Sequence, residues 1–361
     1  MPLYHGAQAD WGDTGKELGR KSKLARILFF IGNGFDLNIG LKTGYKHFYG
    51  DFVKSHPDNI IAKKIKDKPE DWADLELALG QFTKKFTLEN YMELINADEE
   101  LELALSKYLA DQEQSIDIKE GLSKEVADRF QKAVTGFYSD LPLQHRESIK
   151  TRIGKIGEPI YYSFVSFNYT NILDLIIEVC RNEYHKGIST HVSANTRYTD
   201  LLVEPIHIHG TLNEELILGV GDKNQIANEE LANLEIIQQL FIKQATNDRF
   251  AQNKIRIVEK MINESVIICV YGMSIGNTDN YWWKYISNWL ANSADRRLVI
   301  FEYNSEIHTN RSKFAFLYED RSKERLRETA EVDVNVWNSI KDRMFIVFNS
   351  KIFSLPNIIK A

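Results

Sequence analysis

Short apolar runs rich in β-branched and aromatic residues recur along the chain, and each ends in glycine, asparagine or serine. They are ILFFIGNG (27–34), YYSFVSFN (161–168), EPIHIHG (204–210), SVIICVYGMS (265–274), RRLVIFEYN (296–304) and MFIVFN (344–349). Runs of this kind are typical of buried strands. Helical periodicity fills several of the intervals between them. Strands that alternate with helices predict an α/β fold with a Rossmann-like, mostly parallel sheet covered on both faces.

The interval between residues 45 and 153 contains no convincing strand. Apolar residues recur there at steps of three and four, which predicts one helical stripe formed by Trp72, Leu75, Leu79, Phe82 and Phe86. A crossover of this length exceeds what a βαβ unit needs. We therefore expect residues 45–153 to form a large α-helical insertion or cap on a sheet domain made of residues 24–44 and 154–361.

Periodicity predicts further helices in three other segments, namely 91–110, 124–137 and 225–262, the last as one long helix or two shorter ones. Residues 1–23 are polar and lack an apolar core, so we expect a flexible leader.

Composition narrows the classes of protein to consider. The formal net charge of −6 gives no support to a basic nucleic-acid face, so nucleic acid is not an expected partner. No apolar stretch reaches the roughly 18 residues that span a bilayer, and we expect a cytoplasmic protein without a membrane partner. Cys180 and Cys269 lie inside apolar runs, which favours buried thiols over a disulfide. Two cysteines cannot form a four-cysteine zinc site, so we expect no zinc and assign no residue as a metal ligand in the preferred interpretation.

Polar residues follow the apolar runs at the points where the predicted strands end. In an open parallel sheet, ligands bind beyond the carboxyl ends of the strands, so these residues should converge if their strands are neighbours. The candidates are Gly32, Asn33, Gly34, Asp36, Asn168, His209, Gly210, Gly272, Ser274 and Asn304.

The Gly32–Gly34 pair at a strand-to-helix corner has two interpretations. It either provides a backbone cradle for a dinucleotide or simply makes a tight turn. Asp36 follows directly, either as an ordinary helix-cap carboxylate or as part of the site. Since a carboxylate repels phosphate, Asp36 of a nucleotide site should face a ribose, a base or a developing cation.

His207 and His209 stand two apart on a predicted strand and hence on one face. Metal binding is the weaker interpretation, because no matching His or Cys cluster accompanies them. His209, before a glycine at a strand end, suits a general base, with a buried structural histidine as the alternative. Asn168 either caps the next helix or presents its amide to a substrate hydroxyl or a water. Glu76, on the edge of the Trp72 stripe, is interpreted as a solvated helix residue that the stripe could place over the site.

Five segments of the chain together resemble the AbiH family of bacterial abortive-infection, or phage-defence, proteins. They are IGNGFDLNIGLKTGYKHF, WADLE, SFNYT, HIHGT and YGMSIGNTDNYW. The likeness extends from about residue 28 to residue 283 and beyond. AbiH in turn resembles, more distantly, the sirtuin/DHS-like NAD-binding fold. The sirtuin opening Gly-Ala-Gly-Ile-Ser-x-x-Ser-Gly-Ile-Pro aligns without gaps on residues 32–42 and keeps the glycines at 32, 34 and 40.

The sirtuin resemblance carries further residues over in the same order along the chain. The Asn of its Thr-Gln-Asn-x-Asp element falls on Asn168, the catalytic His-Gly on His209, the Gly-Thr-Ser loop on residues 272–274, and the Asn after a late strand on Asn304. Four features depart from the pattern: the zinc module is absent, Asp36 replaces Ser, Asn33 replaces Ala, and Thr170 replaces Asp. The first makes peptide deacylation an unexpected activity.

The resemblance implies an anti-phage effector that takes NAD or a related nucleotide as substrate or ligand. Hydrolysis of the nicotinamide–ribose bond fits these residues, because the leaving group becomes neutral and the sugar develops positive charge. Asp36 would supply a negative field, Asn168 would orient water or ribose hydroxyls, and His209 would accept the proton. Gly32, Asn33, Gly34, Gly272, Ser274 and Asn304 would bind the cofactor.

Two alternatives belong to other classes of protein. The chain could be a nucleotide-binding sensor or toxin subunit that never cleaves its ligand. It could also be a nuclease that holds Mg²⁺ with Asp36, Asp222 and Asp279. A homo-oligomer is a candidate assembly, and the sequence does not identify the phage-derived trigger.

Overall fold

A computed structural model describes residues 25–307 and 314–360. The leader expected at residues 1–23 therefore lies outside the described residues. Strands are β1 (Ala25–Ile31), β2 (Ile160–Ser166), β3 (Ser189–Ser193), β4 (Thr196–Leu202), β5 (Ile206–His207), β6 (Ser265–Tyr271), β7 (Arg297–Glu302) and β8 (Met344–Phe348).

Helices occupy most of the intervals between the strands. They are α1 (Gly34–Ile39), α2 (Tyr45–Ser55), α3 (Ile60–Asp67), α4 (Leu75–Phe82), α5 (Tyr91–Gln114), α6 (Glu120–Thr135), α7 (Leu143–Gly154), α8 (Ile172–Glu183), α9 (Glu235–Phe241), α10 (Lys243–Phe250), α11 (Gln252–Glu264), α12 (Asn280–Ala291), α13 (Ala315–Thr329) and α14 (Val334–Ile340). Short 3₁₀ turns lie at Pro69–Trp72, Thr83–Lys85, Lys223–Gln225, Leu231–Asn233, Asn277–Asp279 and Lys341–Arg343.

The strands form one mixed, mostly parallel sheet in the order β3-β4-β2-β1-β6-β7-β8, with β5 also pairing β2. All neighbours on this path are parallel except β3 and β4, which form an antiparallel hairpin. The predicted α/β class with a mostly parallel sheet is confirmed. From β1 the chain moves to β2 on one side and later to β6 on the other, so a topological switch point lies at the end of β1.

The central strand β1 is buried on both faces because helices cover the sheet from both sides. Ile27, Phe29 and Ile31 belong to one core and Leu28 and Phe30 to the other, as the two-residue period of a strand requires. Helices α6 and α8 contribute to the first core, and α11, α12 and α14 contribute to the second. Packing of helices on both faces holds the strands in place, and with them the strand ends where the polar residues lie.

The crossover from β1 to β2 contains α1–α7 and no strand among its residues, all of which are described. Helices α2–α5 pack around a third core that includes Phe48, Phe52, Ile61 and Leu101. Helices α6 and α7 instead supply Phe130, Val134 and Ile149 to the core of the sheet. The division of the chain at residues 45 and 153 into two domains stays a prediction.

Several sequence expectations need correction in detail. The Trp72 stripe spans a 3₁₀ turn, α4 and a second turn instead of one helix, because Asp74 caps α4 in between. Residues 225–262 contain α9, α10 and α11 instead of one or two helices, and EPIHIHG forms only the two-residue β5. The β3–β4 hairpin was not predicted.

Both cysteines are buried and free, as their apolar surroundings predict. No helix in the part of the chain that the structure describes combines the length and the apolar character needed to cross a membrane.

Candidate functional site

A cavity of about 350 Å³ opens beyond the carboxyl ends of β1, β2 and β6, at the switch point of the sheet. Its volume falls at the lower end of the range for small-molecule sites, about 300–1,000 Å³. Helices α4 and α5 supply part of the wall. The lining residues are Gly32, Asn33, Asp36, Thr43, Tyr45, Ala73, Asp74, Glu76, Leu105, Leu109, Phe167, Asn168, Tyr169, Thr170, His209, Lys243, Gly272, Met273, Ser274, Thr278 and Asp279.

The structure thus brings most of the sequence candidates to one cavity, while their functional roles stay predictions. Gly34, Gly210 and Asn304 are not among the lining residues. The backbone N–H of Asn304 donates to Asn349 Oδ1 (2.8 Å), and Asn349 Nδ2 donates to the Asn304 carbonyl (2.8 Å). Asn304 therefore joins the ends of β7 and β8 in this structure.

Asp36 lines the cavity and is 1% exposed. Its Oδ1 accepts a hydrogen bond from Asn168 Nδ2 (2.9 Å), and its Oδ2 accepts one from Thr170 Oγ1 (2.6 Å). Asp36 and Thr170, two of the positions at which the sequence departs from the sirtuin pattern, are in direct contact.

The bond to Asp36 fixes which way the Asn168 amide faces. With Nδ2 committed to the carboxylate, Oδ1 is left as an acceptor, and this buried atom has no hydrogen-bond partner. A buried acceptor without a donor costs free energy, roughly 1–3 kcal/mol, unless a ligand or water supplies one. Asn168 therefore carries an unmet requirement for a donor at the wall of the cavity.

Burial raises the pKa of Asp36 to about 7, although the Thr170 and Asn168 hydrogen bonds favour the charged form. The folded protein therefore holds this proton more tightly than the unfolded chain. Between about pH 4 and pH 7 the free energy of unfolding should fall as the pH rises, by on the order of 3 kcal/mol from this group.

Asp36→Asn should remove that part of the pH dependence. An amide at position 36 can still accept from Asn168 and can donate to the Thr170 hydroxyl, so packing is preserved. Urea unfolding at pH 4.5 and pH 8 should show the variant gaining stability relative to wild type only at the higher pH. The exposed Asp111→Asn variant controls for the loss of one carboxylate. A pH-independent difference between wild type and Asp36→Asn would contradict the raised pKa.

His209 lies just beyond β5, so the expectation that it shares a strand with His207 is wrong. Its ring stands edge-on to Phe167, with centroids 5.1 Å apart. Nε2 is 3.4 Å from Asp279 Oδ1 without forming a good hydrogen bond. Burial and the Lys243 ammonium lower the pKa of His209, against the opposing effect of Asp279. The imidazole is therefore neutral near pH 7 and able to accept a proton.

Lys243, at the start of α10, was missed by sequence reasoning. It is 5% exposed, and its Nζ donates to Glu76 Oε2 (2.7 Å) and to Asp279 Oδ1 (2.9 Å). Burial opposes the charge of the lysine, but the two carboxylates outweigh it and raise its pKa. Glu76 is accordingly buried, and its interpretation as a solvated helix residue is wrong.

The two carboxylates of this cluster differ in their proton affinity. Burial raises the pKa of Glu76 to about 7 despite the nearby ammonium. Burial also disfavours the charge on Asp279, yet Lys243 and His209 hold its pKa below the usual range. Asp279 is therefore the ionised partner that lies between Lys243 and His209.

The glycines of the corner are explained by close packing between two loops. Gly32 N–H donates to the Tyr271 carbonyl (2.9 Å), and Gly34 N–H donates to the Gly272 carbonyl (2.9 Å). A Cβ on Gly34 would lie 2.5 Å from Gly272 Cα, and Gly272 itself has φ +70°. Both N–H groups are therefore already bonded to protein carbonyls, and the role of the two glycines in ligand binding stays a prediction.

Gly34→Ala should lower the free energy of unfolding by about 3 kcal/mol, because the new methyl group meets backbone that cannot move aside. Gly50→Ala is the matched control, since its site within α2 has nothing within 4 Å of the added carbon. That change should stabilise the helix by up to about 1 kcal/mol. Urea unfolding of both variants measures the difference, and equal stabilities would contradict the close packing.

The carboxylates of the Mg²⁺ alternative are not gathered in one place. Asp36 and Asp279 line the cavity, whereas Asp222 is outside the lining and accepts a hydrogen bond from Asn280 (3.3 Å). Within residues 25–307 and 314–360, no group of three or more His, Cys, Asp or Glu side chains is arranged to hold a metal ion.

Comparison with known proteins identifies the family. A model of the family described as "Bacteriophage abortive infection AbiH" matches residues 28–301. A search of curated proteins finds no match. Since the family match covers most of the chain, this protein belongs to the AbiH family, which suggests a role in abortive infection by phage.

Proposed function

We propose that this AbiH protein binds NAD or a closely related nucleotide, with the nicotinamide–ribose end innermost in the cavity, and hydrolyses the bond between them. Loss of NAD would then halt the metabolism of a phage-infected cell. One observation carries the proposal: the partnerless Asn168 Oδ1, fixed by Asp36, lies in the same cavity as the neutral imidazole of His209.

The strand order supports a dinucleotide ligand. When the strands of the parallel body are renumbered along the chain, with β4 as the third, the order is 3-2-1-4-5-6. This is the order of doubly wound sheets that bind dinucleotides across the crevice at the switch point. The cavity of this protein lies at the corresponding place, beyond the end of β1.

The charges of the cavity favour the cationic end of NAD over its phosphates. Asp36, Glu76 and Asp279 surround the cavity, and its one lysine is already paired twice. The Gly32 and Gly34 N–H groups are engaged with protein carbonyls. A cationic pyridinium ring and a ribose with hydroxyl donors fit these carboxyl groups. The pyrophosphate would lie towards the rim, where Ser274 is exposed.

The protonation states of the cavity residues suggest a role for each of them in hydrolysis. The neutral His209 accepts a proton from the attacking water, whose oxygen bonds to the anomeric carbon. The electron pair of the broken bond neutralises the departing ring, so no general acid is needed. Asn168 Oδ1 accepts a hydrogen bond from a ribose hydroxyl or the water. The carboxylates of Asp279 and, when ionised, Asp36 stabilise the positive charge that develops on the sugar.

Incubation of the full-length protein with NAD, with nicotinamide release followed by chromatography, tests the proposal directly. We expect release by wild type and by the exposed-site control His185→Ala, and its loss in Asn168→Ala. Calorimetric titration with NAD distinguishes the other outcomes. Binding without release over hours would overturn hydrolysis in favour of the sensor alternative, and neither binding nor release would overturn the proposal as a whole.

A further inference from the structure

His207 connects the cavity wall to helix α8. It ends the two-residue strand β5, where it pairs with Ser166 of β2, and its side chain is buried. Nδ1 lies 2.9 Å from the backbone oxygen of Asn168, and Nε2 lies 2.7 Å from Asp174 Oδ2. Both distances are those of good hydrogen bonds.

Both partners of this ring are hydrogen-bond acceptors. A backbone carbonyl has no proton to give, and an ionised carboxylate only accepts. A neutral imidazole carries one N–H and can serve one of them, whereas an imidazolium carries two and serves both. We propose that His207 is an imidazolium that clamps the Asn168 backbone to Asp174 and so positions the Asn168 side chain in the cavity. This inference rests on the proposed function only for the task that Asn168 performs.

The groups around the ring favour its protonated form. Asp174 of α8 contributes the hydrogen bond and the nearest negative charge, and Asp36 of α1 adds a further carboxyl group on the cavity side. Lys254 of α11 opposes them. Burial works against the charge, but the Asp174 interactions outweigh it and raise the pKa of His207 above its ordinary value.

Deprotonation removes one donor from a ring with two acceptors. One of the two bonds must then break, and the Asn168 carbonyl loses its tether whenever the remaining proton stays with Asp174. The bond from Asn168 Nδ2 to Asp36 survives, so the amide keeps one anchor and loses the other. As the pH rises through the pKa of His207, we therefore expect the Asn168 backbone to lose this contact and the cavity wall to loosen.

Nitrogen-15 NMR of the histidine rings in the full chain tests the protonation state without any turnover. At pH 6.5 we expect both ring nitrogens of His207 to carry protons, and one to lose its proton at higher pH. Asp174→Asn should lower the pH of that change by about one unit or more. Glu178→Gln, an exposed change on the same helix, should leave it where it is. A singly protonated ring in wild type at pH 6.5 would overturn the inference.

The pH profile of nicotinamide release tests the positioning role. Its alkaline limb should move to lower pH in Asp174→Asn, in step with the NMR change, and stay in place in Glu178→Gln. A doubly protonated ring combined with an unmoved alkaline limb would overturn the positioning role. Absence of nicotinamide release by wild type would refute the proposed function, whereas the NMR measurement still decides the protonation of His207.

Discussion

Lys243→Met should lower the free energy of unfolding by about 3–5 kcal/mol, the usual cost of breaking a buried ion pair by removing one partner. The methionine fills a similar volume, so packing is nearly kept. What remains is a pair of buried carboxyl groups, Glu76 and Asp279, that have lost their cation. Urea or thermal unfolding measures the loss.

The pH dependence of this loss identifies its cause. Without the ammonium both carboxyl groups bind protons more tightly in the folded protein than in the unfolded chain. Stability of Lys243→Met should therefore fall as the pH rises from about 5 to 8, while wild type changes less. A triple variant that combines Lys243→Met with Glu76→Gln and Asp279→Asn has neither the lysine nor the two carboxyl groups. It should recover most of the lost free energy of unfolding.

Lys254→Met is the matched control for the loss of a lysine in an ion pair. Lys254 contacts Glu214 at 2.7 Å, but both side chains are partly exposed. The change should cost less than about 1 kcal/mol. An equal loss of stability in the Lys243 and Lys254 variants would show that the buried ion pairs contribute no more to the free energy of unfolding than a partly exposed one.

His209→Ala should reduce nicotinamide release by about 10²–10⁴-fold, the range for removal of a general base. Burial and Lys243 keep this imidazole neutral, so it is ready to accept a proton at pH 7. The loss should appear in kcat, with KM for NAD changing little, because in the proposed mechanism the ring acts on the attacking water and not on the nucleotide. His185→Ala should retain the wild-type rate.

A second variant separates loss of the base from loss of the fold. His209→Gln fills similar space, keeps a polar group near Asp279 and cannot accept the proton as an imidazole does. Equal melting temperatures for His209→Gln and wild type, together with a rate as low as that of His209→Ala, would support the assignment. A wild-type rate in either variant would exclude His209 as the base.

The centre of the fold could be predicted because its strands are buried on both faces. Five of the six apolar runs correspond to full strands, β1, β2, β6, β7 and β8, since continuous apolar sequence bounded by glycine or asparagine has few other uses in a chain of this kind. The hairpin β3–β4 was not predicted because its residues are mostly polar and it lies at the edge of the sheet. Its two strands are joined by a turn at Ala194 and Asn195, both of which have positive φ. An asparagine between segments that contain β-branched residues was the sequence signal for this turn.

Some residues of the candidate site could likewise be predicted from the sequence and others could not. Asp36, Asn168 and His209 could be found because each follows an apolar run and parallel strands end at one edge. Lys243 follows no such run, and its partner Glu76 stands 167 residues away. No local pattern marks an ion pair between two helices whose contact only the tertiary fold creates. The sequence likewise indicates a glycine corner without revealing that Gly34 packs on Gly272.

That corner also sets when the site can first exist during synthesis. Gly34 leaves the ribosome early, but its partner loop at Gly272 and the carboxylate of Asp279 follow only after more than two hundred further residues. A nascent polypeptide that has emerged as far as residue 264 lacks β6, and with it one wall of the cavity. Incomplete chains that end before β6 therefore cannot contain the assembled site.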